Sequence, residues 1–598
     1  MTRLPQSSDW PQWRGADGMG VSSETNLPTR LGADSPELLW RAAVPGEGIS
    51  GPVVKGESVF VTTAYPNDPE AGTAALRTGL PLVALLAVAL LFVRRARGER
   101  EPGALVRVLA GVDALALWLG TLALPVVTWI CVERSHWLWE PGAPGYRWIF
   151  TGIFALAATA LSLSWLRAGS LLRLLGVVAL LLAAWELFQG VPTNKFREPF
   201  RLQVRLAMIV PALAGAGWHL VMLLLARPAE ASRSSSIRAL GFAAVVAAGW
   251  GVFALANFLT PALGMVRAVA CYDLSTGEQR WLTELFVGPE EKKYDENSFA
   301  TPTACATDTL VFAHFGSGYG ALDHEGNVQW VVQDEDYHLE TRYGAAASPV
   351  LLEDEALGDT VLYLHDKESG LGPSYVMRID LASGKTLWYR ETVDTHDSYM
   401  TPLVVERGGE RQLVAVTCDW ILGYSVADGE LLWKLATRIE QMVPGLQYRG
   451  DLLLVSGGTH AGFETMGVRL SGTGKQTAGE VLWRKNRAVP GVSSPVWVGD
   501  SFYTITDGGI VTCYEPETGN VRYQERVEGK FWASLVAGDG KIYALSHEGV
   551  LTTLRAGHEF EILAQGELGS TCRATPAIAR GRIVVRAEHE LFCFARAE

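Results

Sequence analysis

Between residues 401 and 435 the apolar positions fall into four short runs, 401–405, 413–417, 421–426 and 430–435, with polar residues and glycine between them. Runs of five or six residues rich in Val, Leu, Tyr and Trp, each ended by a turn signal, are the pattern of short β-strands. Asp428-Gly429 separates the third run from the fourth, and such a pair suits a tight hairpin that needs positive φ. The arrangement then repeats along the chain. Its fixed mark is Gly-x-x-x-Trp: Gly277 leads to Trp281, Gly326 to Trp330, Gly384 to Trp388, Gly429 to Trp433 and Gly479 to Trp483, while Gly519 leads to Tyr523. Successive aromatics are 49, 58, 45, 50 and 40 residues apart. A local motif at that period implies stacked four-stranded units, each too small to bury its own apolar faces.

Units of this kind arranged around an axis make an all-β propeller. Their first strands are marked by Ile49-Ser50-Gly51-Pro52, Ser298 to Pro302, Ala347-Ser348-Pro349, Thr401-Pro402, Ser493-Ser494-Pro495, Phe531 to Ser534 and Ala574-Thr575-Pro576. With a less regular unit at 442–486, the starts at 49, 298, 347, 400, 442, 493, 531 and 574 number eight; seven is the alternative if that unit is not a blade. The last unit runs out after a third strand near 591–594. A fourth is available at 37–41, where Trp40 takes the repeat position, so joining the two ends would close the ring and leave no open sheet edge. Trp40, Trp281, Trp330, Trp388, Trp433, Trp483 and Tyr523 are then expected to wedge between blades, each ring contributing on the order of 2–3 kcal/mol through burial.

One segment breaks the pattern. Apolar runs at 80–93, 105–130, 148–166, 171–188, 206–225 and 237–259 replace the short strands. A bilayer core about 30 Å thick needs about 20 helical residues, so the segment reads as a transmembrane bundle of six spans, with five as the competing count. An even number suits a propeller whose two flanks lie on one side of the membrane. Nine tryptophans fall in this segment, several near span ends where interfacial rings belong. The expected organisation is 1–71 as the closing strand and first half of blade 1, 72–266 as the membrane insertion, and 267–598 as the rest of the propeller.

Charge divides along the same line. The chain has a formal net charge of −13; residues 72–267 carry 18 basic and 8 acidic side chains, leaving 33 basic and 56 acidic elsewhere, a net of −23. An acidic propeller of this kind is a poor partner for nucleic acid or anionic lipid. Basic residues are slightly denser in the loops after spans 1, 3 and 5, with Arg94, Arg95, Arg97, Arg100 and Arg107 foremost, which places the propeller outside the cytoplasm in an inner-membrane protein. Met1 to Pro36 is not of signal-peptide type. The cysteines of the blades stand singly, without disulfide-like spacing, and this argues mildly for the opposite side.

The eight-blade pattern resembles the pyrroloquinoline-quinone-type β-propeller superfamily. Asp9-Trp10-Pro11-Gln12-Trp13-Arg14-Gly15 resembles the opening signature of large bacterial PQQ-like repeat proteins. The resemblance spans 9–65 and 268–596. It implies either of two functions, because the superfamily holds quinoprotein dehydrogenases and non-enzymatic members such as the outer-membrane assembly lipoprotein of the Bam complex. A dehydrogenase implies pyrroloquinoline quinone as cofactor, Ca²⁺ held by carboxylate and amide oxygens, an aspartate base and a stacking platform. Members similar to methanol or alcohol dehydrogenases also carry adjacent cysteines, which this chain lacks.

The insertion leaves after the second strand of blade 1 and returns at the third. In an up-and-down blade that loop shares a face with the crossovers between blades, the face on which this superfamily holds ligands. Candidates on that face are Asp366, Lys367, Asp397, Asp419, Trp420, His460, Asp507, His547, Glu548, Arg573 and His589, with Arg342-Tyr343 and His396-Asp397 just ahead of first strands. Asp419 and Asp366 are the candidate bases and Trp420 a candidate platform. Arg342, His547 and Arg573 are candidate ligand-binding residues, Arg being suited to carboxylates. No residue set presents itself as a metal site. Within the insertion Asp113, Glu186, His219 and Asn257 are the polar positions of interest, Asp113 for a membrane quinone. Phosphate-loop, zinc-protease and nucleophile-elbow motifs are missing. The expected function is a membrane-integrated, non-catalytic module that binds a protein or small ligand at the propeller funnel. The alternative is a membrane-bound quinoprotein dehydrogenase feeding the quinone pool.

Overall fold

The computed structural model describes residues 8–67, 264–288, 291, 293–333, 343–353, 358–365, 374–391, 398–458 and 462–596. Among these residues the strands form eight four-stranded antiparallel sheets, the blades of an all-β propeller. Blade 1 is Val53–Lys55, Ser58–Pro66, Met265–Asp273 and Gln279–Gly288. The unit that left the count open is blade 5, with strands Gln447–Arg449, Leu452–Gly457, Glu464–Ser471 and Ala478–Lys485, so the number is eight rather than seven. Its irregularity is a single 3₁₀ turn, Gly474–Gln476, between the third and fourth strands.

Blade 8 is closed by the two ends of the chain. Leu38–Ala43 pairs antiparallel with Glu590–Ala595, placing Trp40 opposite Cys593 and Ala43 opposite Glu590. Arg41 adds a bidentate ion pair to Glu590, both contacts at 2.6 Å. The third strand of blade 8, whose outer edge would otherwise be open, is thereby paired.

Burial follows from blade geometry. Both faces of a blade pack on neighbours, so the second and third strands are apolar on both sides; Phe502, Tyr503, Thr504 and Ile505 of blade 6 are all buried. Only the outer fourth strand alternates in and out, as in Leu431–Ala436, where Trp433 is buried and Lys434 exposed. Cys271, Cys305, Cys513, Cys572 and Cys593 are buried thiols in this packing, and burial pushes Cys271 up to about 11.

The two ends of Gly-x-x-x-Trp serve two different interfaces. Each ring lies on the motif glycine of the next blade, and its Nε1 donates to a carbonyl just ahead of that glycine: Trp40 to Leu274, Trp281 to His324, Trp330 to Leu381, Trp388 to Val426 and Trp483 to Pro516, at 2.8–3.1 Å. Gly277, Gly326, Gly384, Gly429 and Gly519 all have positive φ. At Gly277, for example, a Cβ would come within 2.5 Å of the Trp40 ring. Trp433 departs from the series, donating instead to Gln412 Oε1 of its own blade at 2.9 Å. The departure coincides with the altered hairpin of blade 5, where Gly479 packs on Leu435. Tyr523 packs edge-on against Phe560, with ring centres 5.7 Å apart.

Among the described residues no helix is long and apolar enough to cross a membrane. The six apolar runs between 80 and 259, with Asp113, Glu186, His219 and Asn257, lie outside the described residues. What is described is their point of attachment: Tyr65 pairs with Val266, Pro66 with Met265, and Asn67 N donates to Gly264 O at 2.8 Å. The chain therefore leaves and re-enters at one hairpin of blade 1, between its second and third strands.

Candidate functional site on the open end of the channel

The segment from Ser8 to Leu27 runs across the centre of the ring. Its backbone and side chains touch the first strand, or the residues beside it, of every blade. Trp10 and Val54 exchange two backbone bonds at 2.9 Å in blade 1, and Pro11 O accepts from Ala306 N at 2.8 Å in blade 2. Gln12 Oε1 accepts from Leu351 N at 2.7 Å in blade 3. Gly18 lies on Leu403 of blade 4, and Met19 O accepts from Gln447 Nε2 of blade 5 at 2.9 Å. Arg14 donates to Pro495 O beside blade 6, Gly20 and Ser22 bond Ala537 of blade 7, and Ser8 O accepts from Arg580 N of blade 8 at 3.0 Å. Polar backbone buried in a channel has to be paired, and this segment pairs with the inner strands.

The plug sits toward the end where first strands turn into second strands. Gly56 N, in that turn of blade 1, donates to Asp9 Oδ1 at 3.3 Å. Lys55 lies 3.0 Å from Asp308 and 3.7 Å from Glu353 at the corresponding ends of blades 2 and 3. Arg14 is the anchor: it is 1% exposed and donates to Met19 O as well. Burial brings its guanidinium down to about 9, with Asp17 opposing that effect.

The other end of the channel carries the second-to-third-strand turns, the blade crossovers and the hairpin at Asn67 and Gly264. Two of the residues singled out from the sequence, His547 and Arg573, meet there through a third that sequence reasoning missed. Glu296, in the crossover from blade 1 to blade 2, pairs with Arg573, in the crossover from blade 7 to blade 8. His547 Nε2 lies 3.8 Å from the same carboxylate, and its ring meets Trp532 edge-on at 4.6 Å. The backbone sets the His547 turn, its N donating to Lys530 O at 2.7 Å and its O accepting from Cys572 N at 2.9 Å.

Beside this cluster is a second arginine absent from the sequence reading. Arg586 ends the second strand of blade 8, Arg582–Arg586, and is 0% exposed. Its Nη1 donates to Ser50 Oγ at 2.5 Å and to Thr62 O at 2.6 Å, tying blade 8 to blade 1. Among the described residues its Nε and Nη2 have no hydrogen-bond partner, nor has Nε of Arg573. Burial lowers the Arg586 guanidinium to about 9. Arg573 and Arg586 line one cavity of about 10 Å³ with Gly48, Ile49, Thr571 and Glu588, room for about one water.

Sequence comparison agrees with this architecture. The family described as outer membrane protein assembly factor BamB matches residues 229–417 and 473–558, somewhat under half of the chain. Over those stretches the chain is similar to that family, and its described residues form an eight-bladed β-propeller. Similar solved structures include BamB from Moraxella catarrhalis, at 15% identity over 56% of this chain and 92% of that one, with a TM-score of 0.39. Sqt1 of Saccharomyces cerevisiae is 10% identical over 56% of this chain and 93% of that one, with a TM-score of 0.41. A europium-containing methanol dehydrogenase is 12% identical over 56% and 80%, with a TM-score of 0.31. At these scores none of the three bears on activity. No curated protein matches the chain.

The described quinone-site candidates, Asp419 and Trp420, have these surroundings. Asp419 is exposed, sits in a left-handed turn with φ of 67°, and its backbone N donates to Ile439 O at 3.1 Å. One face of the Trp420 ring is covered by the Lys434 ammonium, 4.3 Å from its centre, so that face is not open to a planar ligand. No group of three His, Cys, Asp or Glu side chains suited to a metal is found among the described residues. Arg342 and Asp366, like Lys367, His396, Asp397 and His460, lie outside the described residues.

The remaining candidates have local tasks. Asp507 Oδ1 accepts from Gly491 N at 2.9 Å and Val492 N at 3.2 Å, with burial raising its carboxyl above the usual range. Glu548 Oε2 accepts from Lys530 N at 3.1 Å, and His589 Nδ1 lies 2.9 Å from Gly46 O. Tyr343 packs edge-on with Tyr294 and Tyr399.

Proposed function

We propose that this protein is a membrane-integrated binding module, holding a protein partner at the end of its propeller opposite the plug. One observation carries the reading: residues 8–27 engage the innermost strands, or the residues beside them, of all eight blades, with Asp9 at the end where first strands turn into second strands, and the crossover end is the surface left for a partner. That end also bears the hairpin from which the apolar segment departs. The matching family is described as an outer membrane protein assembly factor, which supports a protein-binding role.

Membrane integration rests on the six apolar runs and on the adjacency of Asn67 and Gly264, which suits an even number of crossings. The slight excess of basic residues in alternate loops favours an extracytoplasmic propeller in the inner membrane. Carbonate extraction and protease treatment of spheroplasts test this. The chain is expected in the carbonate-resistant fraction with its propeller cut from outside; a carbonate-soluble chain or a protected propeller refutes it.

Photo-cross-linking tests the binding surface. A benzophenone side chain at exposed His589 on the crossover end should yield a protein adduct in native membranes, and one at exposed Glu57 near the plug should not. Adducts from position 57 alone, or from neither position, overturn the assignment.

A further inference from the structure

Arg586 is a buried cation without a counter-ion. No carboxylate among the described residues lies within ion-pair distance of it, and the aromatic hydroxyl nearest in charge effect, Tyr272, is a phenol that donates to Ala43 O at 2.9 Å. Two of its donors, Nε and Nη2, are unpaired. A guanidinium taken from water without a compensating charge is strongly destabilising, and each unpaired donor adds to that cost. A ligand that brings a negative charge and acceptors offsets that cost.

The surroundings are built for one. Gly48 lies so close that a Cβ there would stand 2.3 Å from Arg586 Nη2, so the crossover backbone of 44–52 is drawn down onto the guanidinium. Arg573 lines the same cavity with its own unpaired Nε, its charge otherwise answered by Glu296. Glu588 lines it too and is half-exposed, free of any ion pair to either arginine. By contrast, the fully buried Arg267 is paired with Glu291.

We propose that the Arg586–Arg573 cavity is a carboxylate-binding site on the crossover end of the propeller. One carboxylate oxygen fits a space of about 10 Å³, where it accepts from Arg586 while the second oxygen faces Arg573. Planar guanidinium groups with unused N–H donors match this geometry. The carboxylate belongs either to a small free acid or to an acidic side chain of a protein partner. The site deepens the binding-module reading above by giving the partner's contact a chemistry, but its test does not depend on capturing a partner.

The test uses the full chain in detergent, with thermal unfolding followed by tryptophan fluorescence at constant ionic strength. Sodium acetate replacing sodium chloride is expected to raise the midpoint saturably, because a ligand bound only by the folded state stabilises it. Arg586→Gln should abolish the rise, and Arg573→Gln should shift the titration to about 10-fold higher acetate, the loss of one charge-assisted hydrogen bond. Glu588→Gln, which removes the competing carboxylate, should shift it to lower acetate. A Glu-containing peptide compared with its Gln counterpart then separates the two sources: a Glu-specific rise stronger than that of acetate assigns the site to a protein partner, and equal responses assign it to a free acid.

No acetate effect beyond chloride, or an undiminished effect in Arg586→Gln, overturns the site. Should Arg586→Gln fail to fold, opposite shifts in Arg573→Gln and Glu588→Gln uphold it, and unshifted titrations refute it. A failed acetate titration alongside cross-links from position 589 would remove this site and leave the binding module standing.

Discussion

The indole of Trp483 rests on Gly519 of the following blade, its Nε1 2.8 Å from Pro516 O, and a Cβ on Gly519 would lie 2.4 Å from the ring. The glycine is therefore required twice, by its φ of 67° and by the ring above it. Gly581 has a similar φ of 69° with nothing within 4 Å of a Cβ. Gly519→Ala is expected to cost about 3–4 kcal/mol, combining left-handed strain with forced repacking. Gly581→Ala should cost only the strain, about 1 kcal/mol. Equal losses in chemical denaturation would mean that the ring contact contributes nothing.

The plug should be worth a large share of propeller stability. Arg14→Ala removes a fully buried guanidinium that joins Met19, Pro495 and Leu535 carbonyls and leaves Asp17 with Arg449 alone of its two nearby cations. A loss of about 3–5 kcal/mol is expected, as for other buried charges deprived of a partner. Limited proteolysis should then cut within 8–27 first. Cleavage elsewhere with 8–27 still protected would show that the anchor lies outside Arg14.

His314 sets a pH dependence. It is 3% exposed, stacks on Tyr363 at 3.8 Å, and burial lowers it from its usual value to about 3. The folded chain then holds a neutral imidazole while the unfolded chain takes up a proton below its ordinary pKa near 6.5. The unfolded state binds more protons between about pH 3 and 6.5, so stability rises with pH across that window and is lost on acidification. The contribution is on the order of 1 kcal/mol per pH unit. His314→Phe should flatten the slope of unfolding free energy between pH 4 and 6 by that amount; an unchanged slope would place the titration elsewhere.

The hairpin at Asn67 and Gly264 should tolerate removal of everything between them. The in-register pairs Tyr65–Val266 and Pro66–Met265 already hold the strands together, and a short loop closes an antiparallel pair at little cost. Replacing 68–263 by a Gly-Ser linker of about four residues is expected to give a folded propeller that no longer sediments with membranes. Circular dichroism and a sharp thermal transition check the first half, and fractionation checks the second. A truncated chain that stays with the membrane would sever the link between the apolar segment and anchoring.

The blade count, the closing strand and the position of the break were all legible in the residues, because a propeller repeats its strand pattern and its Trp-glycine contact in every unit. Even the unit at 442–486 reads correctly once its extra turn at Gly474–Gln476 is discounted. The candidate site was legible only in part. His547 and Arg573 stood out as charged turn residues, but Glu296, 277 positions from Arg573, carries no local signal that ties it to either. Arg586 looks in the sequence like the polar end of the apolar run Ile583-Val584-Val585, and nothing adjacent tells whether it turns to solvent or inward.

What the sequence by itself determined is periodic and local: strands from apolar runs, turns from Asp-Gly and its kin, blades from the spacing of Gly-x-x-x-Trp, and a long apolar interruption of that pattern. What only the tertiary structure decided is where unlike segments converge. The aromatic opening around Trp10 and Trp13 became a plug because the ring leaves a channel lined with unpaired backbone groups that only an extended segment can satisfy. Arg586 became a buried cation tied to Ser50 and Thr62 because ring closure brings blade 8 against blade 1. Such contacts depend on distance in space between residues hundreds of positions apart, and periodicity holds no record of it.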